Sequence, residues 1–275
     1  MLELALPRSL TEAPHRPFVL LAVVSSLLVG CDASDDGPAR ESGFNPVGSV
    51  EPFTGTVFPE PDLLTDASPS DFAAVTGPVQ GSRRVFDGRA KRFVDIDARV
   101  FTATFDGGGT LEIVVNEELA ETASAEAEAV SRRFGTLPRA LRQDVDAVWV
   151  HAGDVAWQSA DRALVIHVGR TETYEAAGIV EEILLHESVH VSLDPTHERA
   201  AGWLAAQRAD ERFISTHARE NPDTEDLAET FLAWLAARHL GDRVDPTTVR
   251  LVEETIPARL VYLDRQGFDL GPTVP

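Results

Sequence analysis

Residues 181–194, EEILLHESVHVSLD, decide how the rest of this 275-residue chain is read. They contain His186-Glu187-Ser188-Val189-His190, an H-E-x-x-H pattern. Helical positions four apart lie on one face, so His186 and His190 can offer two imidazoles to one metal ion. Glu187 is turned about a quarter-turn away, within reach of a water held by that ion. The neighbouring residues are apolar almost all round: Ile179, Val180, Ile183, Leu184, Leu185, Val189, Val191 and Leu193. A helix apolar on most sides is a buried one. Two imidazoles and a carboxylate on such a helix leave several polar groups to satisfy, at a cost that a bound metal largely removes. The single cysteine, Cys31, lies far upstream, so the ligands must be histidine and carboxylate.

Upstream of this helix the pattern is one of strands. Residues 99–105 (RVFTATF) alternate, Asp106 and three glycines turn, and residues 110–115 (TLEIVV) return, which is a hairpin signal. The glycines sit between strands with no lysine after them, so they are not a phosphate loop. Residues 117–134 have helical composition, with Gly135 and Pro138 predicting the helix end. Residues 145–150 and 162–168 read as buried strands, and the central helix is expected from about 173 to 193. Helices follow to the end. The expected class is α+β: a small N-terminal mixed sheet packed on the central H-E-x-x-H helix, with a helical C-terminal half.

A catalytic zinc site usually has three protein ligands. Three candidates stand downstream. His197, in HESVHVSLDPTH, falls one residue later than a third histidine would in the pattern H-E-x-x-H-x-x-G-x-x-H, and Leu193 holds the place of its glycine. Glu225 and Glu229 lie in residues 222–231, PDTEDLAETF, where Pro222 and Asp223 or Thr224 start a helix that Gly241 can end. About 40° separates the two on that helix. Both border its apolar face, while Asp226, Thr230, Ala233 and Ala237 are expected to face water. A buried carboxylate needs a partner, and a metal supplies one. Asp194, four residues after His190, can hydrogen-bond a ligand histidine or cap the next turn.

H-E-x-x-H followed by a helix bearing E-x-x-x-D/E resembles the gluzincins, a zincin group of zinc metallopeptidases. Glu225-Asp-Leu-Ala-Glu-Thr-Phe231 is similar to the corresponding helix of anthrax-lethal-factor-type peptidases. The resemblance covers the two helices only. It implies that Glu225 ligates zinc beside His186 and His190, that Glu229 supports a ligand histidine, and that Glu187 is the general base. It also implies a zincin-like sheet whose edge strand borders the cleft and accepts a peptide; residues 164–168, just before the helix, are the expected edge. Those peptidases carry a Tyr seven residues before the ligating Glu, and Ala218 stands there in this chain. Tyr262, His217 and Arg219 are the other candidates to stabilise an oxyanion.

The net charge of −21 argues against nucleic acid as a partner, because phosphate binding needs a basic face. Arg8 and Arg16 precede an apolar run at residues 18–29, too short for a comfortable membrane span and suited to a signal peptide. The run ends in Leu28-Val29-Gly30-Cys31, which resembles the lipobox of bacterial lipoproteins, where the Cys is lipidated. Residues 1–30 are thus expected to be a signal peptide, and residues 31–80, acidic and rich in Pro, a tether. Phe44, Phe53 and Phe58 within it are alternatively docking residues. Residues 81–275 form the expected peptidase domain, exported to a bacterial cell envelope and held to the membrane only through Cys31. The expected activity is zinc-dependent hydrolysis of a peptide or protein. The alternatives are a surface lipoprotein that binds zinc without catalysis, and a zinc hydrolase of a non-peptide amide.

Overall fold

In a computed structural model, residues 51–65 and 67–274 are described. Cys31, Phe44 and the segment read as a signal peptide lie outside them. The chain runs β1 (Phe72–Asp87), β2 (Arg92–Phe105), β3 (Thr110–Asn116), α1 (Ala123–Thr136), α2 (Arg139–Arg142), β4 (Ala147–His151), β5 (Gln158–Ala160) and β6 (Ala163–His167). Helices then follow without interruption by strand: α3 (Val168–Ala177), α4 (Val180–Ser192), α5 (Asp194–His197), α6 (Ala201–Asp210), α7 (Thr216–Glu220), α8 (Asp226–His239), α9 (Pro246–Thr255) and α10 (Pro257–Asp264). The class is α+β, with a mixed six-stranded sheet in the order β1-β2-β3-β4-β6-β5.

β1, β2 and β3 form an antiparallel meander, and β3, β4 and β6 run parallel. Alternation in β2 and β3 turns Phe101, Ala103, Phe105, Leu111, Ile113 and Val115 to one face, where they join α1, α4 and α8 in the main core. β6 is buried at every position, as a strand with covered faces should be. It is not the edge that the sequence predicts. After the turn at Asp161, whose φ is 53°, β6 pairs antiparallel with β5, and β5 is the edge. Only three residues long, with the sequence Gln-Ser-Ala, β5 has no alternating pattern to betray it.

Two glycines reshape the predicted helices. The central helix is broken at Gly178, which caps α3 in the left-handed region at φ 66° and lets α4 begin afresh. Gly135 does not end α1, which continues to Thr136. A Cβ there would meet Ser70 Oγ at 2.5 Å and Phe72 N at 2.9 Å. The glycine therefore admits the incoming chain, and its carbonyl accepts a hydrogen bond from the Asp71 amide at 3.0 Å.

The predicted tether is corrected for residues 51–80. Phe53, Val57, Leu63 and Leu64 are buried in the main core, and β1 already begins at Phe72. The proline-rich composition hid this because the buried residues follow no helical or strand period. The expected wet face of α8 is corrected too. Asp226, Thr230 and Ala233 are all fully buried. Arg259 on α10 explains Asp226: its guanidinium lies 2.9 Å from Asp226 and 3.1 Å from Asp210, and all three side chains are fully buried.

Glu182 on the first turn of α4 is also fully buried, and its Oε1 accepts the Leu64 amide at 2.8 Å. Burial pushes its carboxyl up to about 8, from an ordinary 4.5. The native state thus holds a proton that the unfolded chain releases near pH 4.5, so this group makes stability fall as pH rises through that window. Glu182→Gln keeps the acceptor for Leu64 and removes the titration. In urea denaturation, the variant is expected to gain on the parent steadily from pH 5 to pH 8, by a few kcal/mol at most.

Candidate metal centre

α4 and α8 pack against each other and carry the site. Glu225 stands at the N-cap of α8, where its amide already bonds Asn221 O at 2.8 Å and its carbonyl takes the Glu229 amide at 3.0 Å. That placement turns its carboxylate towards α4. His186 Nε2 and His190 Nε2 are 3.2 Å apart, and Glu225 Oε2 lies 3.2 Å from the first and 3.4 Å from the second. Ligands at about 2.0–2.1 Å from a tetrahedral zinc stand roughly 3.3–3.4 Å from one another. The triangle therefore has the dimensions of one face of such a tetrahedron. His186, His190 and Glu225 are 1%, 9% and 2% exposed, and they form a buried group close enough to bind a metal ion.

The outer nitrogens explain why lone pairs point inward. Asp194 Oδ2 lies 2.7 Å from His190 Nδ1, and Glu229 Oε1 faces His186 Nδ1 at 3.6 Å. A carboxylate behind each ring favours the proton on Nδ1 and leaves Nε2 as the donor towards the centre. Burial lowers the pKa of His186, which keeps that ring neutral. Burial opposes ionisation of Glu225, but the rings of His186, His190 and His217 that face its carboxylate outweigh it and hold the carboxyl well below its usual range. Two imidazoles and one carboxylate thus converge, a donor set that suits a divalent ion such as zinc.

Glu229 sits outside the triangle. Its Oε2 accepts the Val57 amide at 2.7 Å and the Ser215 hydroxyl at 2.8 Å. Burial raises its pKa to about 7. His217 on α7 places Nε2 3.2 Å from Glu225 Oε2, on a turn fixed by the Ser215 side chain, which caps Ala218 N at 3.0 Å. Burial alone would depress the His217 pKa; the Glu225 carboxylate more than offsets it, and the net direction is upward. Glu187 is buried on α4 between His186 and His190.

His197 and Tyr262 are brought to each other, with His197 Nδ1 2.7 Å from the Tyr262 hydroxyl and the Tyr262 ring against Trp203. Neither belongs to the converging group. Arg219 turns instead to Glu51 at 3.2 Å. Sequence reasoning missed Val57, Ser215 and Asn221. Val57 acts through its backbone, which carries no signature, and Ser215 looks like an ordinary helix cap. A contrast is provided by His151 and His167, which end β4 and β6 and stack at 5.4 Å. The nitrogens of His151 lie 3.2 Å from Asn116 Nδ2 and 3.1 Å from Phe86 O. That is a histidine whose two nitrogens are satisfied by its own fold.

No family model matches this chain, nor does any curated protein or solved structure.

A metal bound here should raise stability by mass action, about 2.7 kcal/mol when the free ion is at a hundred times its dissociation constant. Zinc or cobalt added to metal-free protein is expected to raise the melting temperature, with one ion bound per chain. His190→Ala is expected to lose both effects in elemental analysis and thermal melts.

Proposed function

We propose that this chain is a zinc-dependent peptidase. The observation that carries the reading is the buried convergence of His186, His190 and Glu225, with Glu187 on the same helix between the two histidines. A structural zinc site is usually closed by four protein ligands, often cysteine, and needs no neighbouring base. Three ligands and an acid–base residue suit a site that works on water.

His186, His190 and Glu225 would hold the ion. Zinc supplies a Lewis acid that polarises a carbonyl and makes water nucleophilic at neutral pH. Glu187 takes the proton from the attacking water and returns it to the leaving amine. Asp194 and Glu229 keep the two ligand rings turned inward. His217, with Nε2 beside the Glu225 carboxylate and a raised pKa, is the nearest described candidate to donate a hydrogen bond to the developing oxyanion. Tyr262, the other candidate for that role, has its hydroxyl 2.7 Å from His197 Nδ1. The substrate is a peptide or protein. The chain is exported and lipid-anchored through Cys31, a part of this proposal that rests on the lipobox resemblance alone.

Glu187→Gln is expected to bind one zinc per chain with nearly parental affinity and to lose peptide hydrolysis by a factor of about 100 to 10,000. Mass spectrometry of a mixed peptide library checks the loss, and elemental analysis checks the metal. A variant as active as the parent would sink the assignment. Cleavage of non-peptide amides alone would move the reading to a different hydrolase, and metal uptake without any turnover would leave a zinc-binding lipoprotein.

A further inference from the structure

Residues 53–64 lie ahead of the sheet, yet they touch α4, α7 and α8 of the metal centre. Phe53 N donates to Ile214 O at 3.2 Å, and Thr216 N donates to Phe53 O at 3.0 Å, a short parallel bridge with the chain that enters α7. Gly55 N donates to Thr216 Oγ1 at 2.8 Å. Val57 N donates to Glu229 Oε2 on α8 at 2.7 Å. Asp62 N then reaches Gly178 O at 2.8 Å, and Leu64 N reaches Glu182 Oε1 on α4, also at 2.8 Å. The segment thus joins the helix of His186 and His190, the helix that follows Glu225, and the helix of His217.

Its most consequential contact is the one at Val57, whose side chain is fully buried. Glu229 is a fully buried carboxylate whose orientation is set by what its Oε2 accepts. Those donors are the Val57 amide and the Ser215 hydroxyl. With Oε2 held there, Oε1 faces His186 Nδ1. Supports of this kind behind a metal-ligating histidine change metal affinity by about 10- to 100-fold when removed. A backbone amide is a fixed donor, so its effect on Glu229 lasts only while the segment stays docked.

We infer that residues 53–64 are a strap whose docking sets the metal affinity of the centre, with the Val57 amide as the positioning group. This rests on the metal-binding reading given above. Displacing the strap, by cleavage upstream of β1 or by a competing strand at residues 214–216, would weaken metal binding without touching a ligand. By linkage, metal binding must tighten the strap by the same factor.

The test uses the full chain and zinc itself. Val57→Pro removes the amide donor, whereas Val57→Ala keeps it and removes only packing. Chelator competition is expected to show Val57→Pro binding zinc about tenfold or more weakly, with Val57→Ala within about twofold of the parent. Equal affinities for the parent and both variants would overturn the proposal. If Val57→Pro does not fold, hydrogen exchange on the parent chain decides. Zinc is expected to raise protection of the Val57 and Leu64 amides about tenfold or more by the same coupling; unchanged protection at full zinc occupancy would overturn it. A parent chain that binds no zinc would instead overturn the metal reading beneath it.

Discussion

Three lone-pair-bearing atoms meet inside this protein at separations of 3.2 to 3.4 Å, and much of the helical half follows from that. Their mutual approach is unfavourable without a positive charge among them, because each acceptor is buried away from water. The helices must be fixed from behind to keep them there. α4 supplies two of the groups at the spacing of one helical turn, and the N-cap of α8 brings the third. Carboxylates behind the rings then decide which nitrogen carries the proton.

Those carboxylates are themselves a burden on the fold. Glu229 and Glu182 are fully buried, and burial raises both pKa values far above the ordinary range. Each accepts a backbone amide from residues 57–64, which offsets part of the desolvation. Asp226, next in sequence to Glu225, is held by a fully buried arginine from the last helix. The centre is thus supported by ionisable groups whose partners come from distant parts of the chain. Removing one partner of such a buried ionic contact typically costs about 3–5 kcal/mol, because it strands the other.

What could be read in the sequence was whatever repeats with a helical or strand period. His186, His190, Glu225 and Glu229 stand at four-residue spacing on helices with clear apolar faces. That periodicity pairs the two histidines and puts both glutamates at the margin of a buried face, and the resemblance to gluzincins is what singled out Glu225; the β2–β3 hairpin with its glycine turn was equally legible. What escaped was non-periodic or non-local. Residues 53–64 bury Phe53, Val57, Leu63 and Leu64 along a course of bends and turns through prolines, so their composition mimics a linker. The three residues of β5 are too few to alternate. Asp226 looks like a wet position until Arg259 arrives from α10. His197 and Tyr262 looked like separate candidates for the metal and the oxyanion; packing against Trp203 gives them to each other.

The Arg259 contact also sets an order of assembly. Glu225 is seated at the N-cap of α8, and the adjacent Asp226 is anchored by Arg259 together with Asp210. At the opposite end of the domain, Val57 is made long before either. A nascent chain therefore exposes His186 and His190 while the anchor that seats the carboxylate is still unsynthesised. The converging group becomes complete only when the final helix has docked, so the approach of Glu225 to His186 and His190 belongs to the finished domain and not to the growing chain.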